Sequence, residues 1–83
     1  MITGLQIRLA RTALRWSVKD LADRSGVSVP TIKRFEVSDG IPPSRSSTLH
    51  EVRTTLEAAG VEFIGTPDDR PGVRLSVTSK DAR

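Results

Sequence analysis

Apolar residues recur at helical spacing over about the first sixty positions of the chain, and they alternate with polar residues after that. The first stripe consists of Ile7, Ala10 and Leu14, which lie on one face of a helix. Thr3 is suited to cap this helix, because its hydroxyl can accept a hydrogen bond from a free backbone N–H. We therefore predict a first helix from a cap at Thr3 to about Leu14.

Two short helical patterns flank a single glycine in residues 16–36. Ser17 precedes the first pattern and Ser28 the second, and both serines suit helix caps. Gly26 stands where the first helix must stop, because glycine adopts a left-handed turn at the least cost. Two helices joined by so short a turn must cross steeply, which predicts a helix-turn-helix. The predicted helices span about residues 18–25 and 29–37.

An apolar residue followed by alanine, a glycine turn, and an isoleucine four residues after the second cap form a spaced pattern in this segment. The pattern comprises Leu21-Ala22, Gly26-Val27-Ser28, Thr31-Ile32 and Glu36, preceded by Ile7 through Arg11 and Leu14. It resembles the Xre/Cro family of phage-repressor-like helix-turn-helix transcriptional regulators, over about residues 3–59. The chain is most similar to small bacterial members that end in Gly-Val-Glu-Phe-Ile and Pro-Gly-Val-Arg-Leu segments, here residues 60–64 and 71–75.

The resemblance implies that the second helix of the motif enters the major groove of DNA with its N-terminus first. The positions that contact bases in the family correspond here to Val29, Pro30 and Arg34, with Thr31 and Lys33 as exposed neighbours. Val29 and Pro30 cannot hydrogen-bond a base edge, so they either pack on a thymine methyl group or only fill space. Arg34 can form a bidentate pair with guanine; a phosphate contact or a solvated side chain are the alternatives.

Phosphate contacts in the family come from the N-termini of the second and fourth helices and from the loop after the reading helix. Helix N-termini suit anions because their free N–H groups and their dipole both favour negative charge. Val18 stands where the family often has a phosphate-binding glutamine, and Lys19 is the candidate to replace that contact. The predicted phosphate-contacting residues are Ser17, Val18, Lys19, Ser28, Arg45, Ser46 and Ser47.

Arg11 and Glu36 match a family pair in which an arginine of the first helix bonds a carboxylate at the end of the reading helix. The resemblance implies a structural ion pair that holds the angle between these two helices. We interpret Trp16 and Phe35 as core residues rather than as a platform on which bases stack.

Residues 38–45 contain Asp-Gly and Pro-Pro pairs, which predict a loop. A fourth helix is predicted to begin near Ser46 or Ser47 and to run to about Ala59, where Gly60 ends it. Its inward residues are predicted to be Leu49, Val52, Leu56 and Ala59.

Residues 61–64 and 73–77 alternate with period two and are rich in β-branched residues, at the place where phage repressors have a fifth helix. They predict a two-stranded ribbon with a loose loop at 65–72, which holds two prolines and two glycines. An isolated ribbon is marginal in water, so it must pack on the helices, pair with another chain, or both. A free strand edge favours pairing with a second copy, so we predict a homodimer through the ribbon. The predicted dimer residues are Phe63, Ile64, Val73, Leu75 and Val77.

The predicted fold class is mostly α: a four-helix repressor-like DNA-binding domain with a helix-turn-helix, followed by a short C-terminal two-stranded β-ribbon. The predicted boundaries are residues 1–60 for the helix-turn-helix domain, 61–77 for the ribbon that forms the dimer, and 78–83 for a frayed tail.

The net charge of +3 is unevenly distributed along the chain. Residues 1–48 hold eight lysines and arginines against four acidic residues, whereas residues 49–83 hold five against six. The positive excess therefore lies with the motif, as phosphate binding requires. An ordinary solvated surface also accounts for so small a surplus.

Little in the sequence supports chemistry other than DNA binding. The absence of cysteine excludes disulfides and thiolate metal sites, and a single histidine, His50, argues against any metal site. No Ser/His/Asp grouping or Gly-rich phosphate loop is evident, so we predict no catalytic residue, metal or cofactor. No apolar run approaches the roughly 20 residues of a membrane span, and the N-terminus lacks the apolar segment of a signal peptide. We expect a cytoplasmic protein.

Two functions fit these observations. The first is a transcriptional regulator, taken to be a repressor, that binds double-stranded DNA as a homodimer. The alternative is an antitoxin-like module that binds a partner protein through its ribbon or its tail and autoregulates its operon. Co-purification of an unrelated protein would favour the alternative.

Overall fold

The computed structural model describes residues 2–43 and 46–76, which form four helices and a C-terminal antiparallel hairpin. The elements are α1 (Gly4–Ala13), α2 (Val18–Ser25), α3 (Val29–Glu36), α4 (Ser46–Ala58), β1 (Val61–Thr66) and β2 (Asp69–Leu75). The predicted helices and their order are confirmed, with each end within one residue of its prediction. The tail at 78–83 lies outside the described residues.

Reciprocal side-chain caps fix the start of α1. The Thr3 hydroxyl accepts a hydrogen bond from the backbone N–H of Gln6 at 3.0 Å, and the Gln6 Oε1 accepts one from the backbone N–H of Thr3 at 2.9 Å. At the other end Arg15 adopts a left-handed φ of 61°. The N–H of Trp16 then bonds the carbonyl of Arg11, and the N–H of Arg15 bonds that of Thr12, which ends the helix in a Schellman motif.

One apolar core lies between the four helices and extends to the first residue of the hairpin. Phe35 and Ile32 of α3 are fully buried in it, and Trp16 packs against its edge with the guanidinium of Arg24 stacked 4.5 Å from its ring centroid. The interpretation of Trp16 and Phe35 as packing residues is therefore confirmed. The buried apolar residues are Ile2, Ile7, Ala10, Leu21, Val27, Ile32, Phe35, Leu49, Val52, Leu56 and Val61.

The hairpin is tighter than the sequence predicts. The loose loop predicted at 65–72 is wrong, because these residues extend both strands and leave only Pro67 and Asp68 in the turn. Ile64 pairs with Gly72 and Thr66 with Asp69, so one residue of β1 faces two residues of β2. This is a β-bulge. Pro71 lies in the bulge, where a proline is tolerated because the ladder is already interrupted there.

The hairpin packs on the helices of its own chain. Phe63 and Val73, which pair across the strands, are half-buried against the core. The amide of Gln6, itself almost fully buried, donates hydrogen bonds to the carbonyls of Ile64 at 3.1 Å and Gly72 at 2.9 Å. One side chain of α1 therefore joins both strands to the helical domain.

Candidate nucleic-acid interface

A three-residue connection orients α3 relative to α2. Gly26 has φ 76°, and its N–H bonds the carbonyl of Ala22. Val27 is buried beneath the turn and anchors it to the core. Ser28 then caps α3. The helix-turn-helix predicted from these residues is present in the structure.

The exposed face of α3 contains most of the predicted base-contacting residues. Pro30 and Arg34 are exposed one helical turn apart, and Lys33 lies exposed beside them. Val29 and Thr31 are half-buried at the flanks of this face. The face continues to Val37 at the end of the helix, which is 79% exposed.

The hydroxyls near the start of α3 are engaged with each other. The Ser28 Oγ accepts a hydrogen bond from the backbone N–H of Thr31 at 3.4 Å and donates one to the Thr31 Oγ1 at 2.9 Å. Ser28, which was predicted to contact phosphate, therefore serves as the N-cap of α3.

The one carboxylate of α3 points away from its exposed face. Glu36 is 7% exposed and accepts two hydrogen bonds from Arg11, at 2.8 Å from Nε and 2.9 Å from Nη2. The hydrogen bond to Glu36, followed by its negative charge, raises the pKa of Arg11. Arg11 also donates to the carbonyl of Trp16, and Arg8 donates to the carbonyl of Glu36. The exposed face of α3 therefore carries the positive charge of Lys33 and Arg34 with no carboxylate of the same helix beside them.

A carboxylate, that of Asp20, takes part in the cap at the N-terminus of α2, where phosphate contacts were predicted. Asp20 accepts a hydrogen bond from the Ser17 backbone N–H at 2.9 Å, and its own N–H donates to the Ser17 hydroxyl at 3.0 Å. These hydrogen bonds from Ser17, first the backbone one, lower the pKa of Asp20. This carboxylate occupies the backbone N–H of Ser17, one of the residues predicted to contact phosphate. The capping box was visible in the sequence as Ser17 and Asp20 three residues apart.

Lys19 and Val18 differ in how they can contact phosphate. The Lys19 ammonium lies 2.9 Å from the Asp23 carboxylate in an exposed pair, which raises the pKa of Lys19. Val18 is half-buried against the core. Its side chain faces the protein, so only its backbone can contact DNA.

A hydroxyl-rich groove runs between the turn and the start of α4. It brings Ser28 of the turn near Ser47 of α4, two residues that were predicted separately as phosphate contacts. Arg45 lies outside the described residues, and only the backbone of Ser46 is described. The polar residues that line the groove are Ser25, Ser28, Thr31, Ser47, Thr48 and Glu51.

The predicted dimer residues divide into two groups. Phe63 and Val73 pack against the core of their own chain, whereas Ile64 and Leu75 remain 37% and 39% exposed. Val77 lies outside the described residues.

Other kinds of site find little support in residues 2–43 and 46–76. No group of three or more histidine, cysteine, aspartate or glutamate side chains in these ranges could hold a metal ion. His50 is exposed, with its Nε2 3.4 Å from the Thr54 hydroxyl. Within the same ranges, every helix is too short or too polar to cross a membrane.

Comparison with known protein families gives a match to the part of the chain that contains the helix-turn-helix. Residues 7–46 match a family model described as helix-turn-helix. These residues include most of α1, all of α2 and α3, and the first residue of α4. No curated protein shows significant similarity to the chain.

Proposed function

We propose that the chain is a DNA-binding transcription regulator that binds a specific operator as a homodimer, because the structure contains a helix-turn-helix and residues 7–46 match a helix-turn-helix family model. In this proposal α3 lies in the major groove and the protein represses transcription by occupying its operator in the cytoplasm. The observation that carries the proposal is the exposed face of α3, which is basic because Arg11 holds the only carboxylate of that helix inside the protein.

The spacing on α3 supports contacts to neighbouring bases. Pro30 and Arg34 lie four residues apart, which is about 6 Å along the helix axis. Both side chains can therefore contact bases within the few base pairs that one reading helix covers. Arg34 can donate two parallel hydrogen bonds to O6 and N7 of guanine, and these atoms distinguish guanine from the other bases in the major groove.

The surroundings of α3 favour phosphate contacts that position the helix. Lys19 reaches solvent at the start of α2, and its exposed pair with Asp23 costs little to open. Ser47 is exposed at the start of α4, where free backbone N–H groups and the helix dipole favour an anion. Contacts of this kind fix the register of the protein on DNA but carry no sequence information.

We expect Arg34→Ala to weaken operator binding by about 1–3 kcal/mol and to relax preference at one position in each half-site. The operator would first be obtained by selection from random duplexes with the wild-type protein. Affinities for all single-base variants of that operator would then be measured for both proteins.

Lys19→Ala is the matched control for this measurement. It should weaken binding to all sequences alike and reduce the log-log slope of affinity against salt by about one, because one phosphate contact is lost. An equal loss across all sequences for Arg34→Ala would assign Arg34 to phosphate. Failure of the wild-type protein to enrich any sequence would contradict the proposed function.

The hairpin supports the proposed homodimer through its free strand edges. The N–H of Ser76 bonds the carbonyl of Gly60 at 2.6 Å, in register with the paired strands. In an antiparallel pair, alternate residues direct their backbone N–H and C=O groups outward. By this alternation Phe63 on β1, and Val73 and Leu75 on β2, direct backbone groups outward that a second hairpin can bond.

We expect the double variant Ile64→Lys, Leu75→Lys to sediment as a monomer at concentrations where the wild-type protein is a dimer. Lysine is tolerated at both partly exposed positions, and charge at a strand edge opposes pairing between copies. Ile41→Lys is the control, because Ile41 is 44% exposed in the loop after α3 and away from the hairpin sequence. A double variant that stays dimeric would place the interface elsewhere.

A further inference from the structure

We infer that the tip of α3, residues 28–31, recognises the C5 methyl group of a pyrimidine in each operator half-site. This inference rests on the proposed function, because it names the base feature that one part of α3 would contact. The shared chemistry is a 5-methylpyrimidine, which is either thymine or 5-methylcytosine.

Pro30 gives the tip an exposed apolar surface. Pro30 is exposed, and its ring carries neither a side-chain donor nor a backbone N–H. Val29 is half-buried beside it and adds a second apolar side chain. A helix that enters the groove with its N-terminus first brings these two residues to the base edges before any other.

One polar side chain of the tip, that of Ser28, is engaged within the protein. The Ser28 hydroxyl accepts from the Thr31 backbone N–H and donates to the Thr31 Oγ1. The only hydroxyl proton of Ser28 is therefore donated to Thr31. The apolar contact that the tip can offer a base therefore comes from Pro30 and Val29.

Pyrimidine C5 methyl groups are the apolar feature that the major groove offers. Adenine, guanine and cytosine present donors or acceptors there, whereas thymine adds a methyl group to its single acceptor. Covering a purine edge with Pro30 would remove water from polar groups without replacing its hydrogen bonds, which is unfavourable. Covering a methyl group removes apolar surface from water and is favourable.

The position of this methyl group relative to guanine follows from the helix. Pro30 and Arg34 lie about one turn apart on the same face. We therefore expect the methyl-bearing base to lie in the same half-site as the guanine that Arg34 contacts, within a few base pairs of it.

The test begins with the operator obtained by selection from random duplexes. Each thymine is then replaced in turn by deoxyuridine, which lacks only the methyl group. We expect binding to weaken about fourfold at one position of each half-site, as for the loss of one buried methyl group. At that same position, a duplex with 5-methylcytosine should bind about fourfold more tightly than one with cytosine, because the methyl group is the same.

Variants of the tip assign the effect to these residues. Pro30→Ser should reduce the ratio of thymine to deoxyuridine affinity towards one, and Val29→Ala should reduce it partly. Lys19→Ala is the matched control and should lower both affinities while it leaves the ratio unchanged. Circular dichroism checks that each variant is folded. The deoxyuridine series on the wild-type protein tests the inference even if a variant does not fold.

The outcomes separate this inference from the proposed function. If no sequence is enriched, the proposed function fails and the inference fails with it. If a sequence is enriched but no thymine is sensitive to deoxyuridine, the inference alone is overturned. A sensitivity that persists unchanged in both Pro30→Ser and Val29→Ala would also overturn it, because the methyl group would then contact another part of the protein.

Discussion

Replacing Gly4 by alanine should lower the free energy of unfolding by about 3 kcal/mol, the upper end of the usual cost of overpacking. Gly4 is buried in the first turn of α1, where its N–H donates to the carbonyl of Gly40 at 2.9 Å. A Cβ at this position would overlap the backbone carbonyl oxygens of Phe35 and Ser38. Backbone atoms cannot rotate aside as a side chain can, so α1 and the end of α3 would have to separate.

Gly40→Ala provides the control, because Gly40 belongs to the same contact but has open space around its Cα. We expect its free energy of unfolding, measured by urea denaturation, to stay within about 0.5 kcal/mol of the wild-type value, which is usual for a surface substitution. Equal midpoints for Gly4→Ala and the wild-type protein would show that α1 and α3 do not approach as closely as described. Because this contact supports α3, Gly4→Ala should also weaken operator binding.

Helix boundaries were predictable because their signals are local. Ser17, Gly26 and Ser28 each act on backbone groups within four residues, so their type and spacing are sufficient to place α2 and α3. Phe35 was recognisable as a core residue from its periodicity on α3.

Contacts between distant segments were not predictable from these local signals. Gly4 precedes an apolar stripe and gives no sign that the backbone at Phe35 lies against it. Gln6 reads as an ordinary polar helix residue, although it is buried and bonds both hairpin strands 58 and 66 residues away. The loop predicted at 65–72 was wrong because Pro71 breaks a regular strand pattern but fits a bulge, whose position depends on the pairing partner.

At the candidate site too, features set by local sequence were predictable, whereas features set by side-chain conformation were not. Lys33 and Arg34 were identified from the outer face of a single amphipathic helix, and both are exposed. Asp20 was not among the predicted site residues, although it completes the cap at the predicted phosphate site. Its role depends on the rotamer that turns its carboxylate back to Ser17, which spacing makes possible but does not fix.

Removal of either partner of the Arg11–Glu36 pair should lower the free energy of unfolding by about 2–3 kcal/mol, somewhat less than for fully buried pairs. The side chains are 18% and 9% exposed, so a partner left alone keeps little access to water. Glu36→Ala leaves the guanidinium without its carboxylate, and Arg11→Ala leaves the carboxylate without its two donors. The pair also joins the last turn of α1 to the end of α3, so both variants should disturb the position of α3 and weaken the proposed DNA binding.

A double-mutant cycle in urea measures the interaction itself, and we expect a coupling energy of about 2 kcal/mol between Arg11 and Glu36. The chain supplies a matched control in Arg74 and Glu62, which form the same two-bond geometry at 3.0 and 2.8 Å on the exposed side of the hairpin. Their coupling should be much smaller and should fall further with added salt, because water and ions screen exposed charges. Equal coupling energies for the two pairs would show that bond geometry, rather than burial, determines the strength of the Arg11–Glu36 interaction.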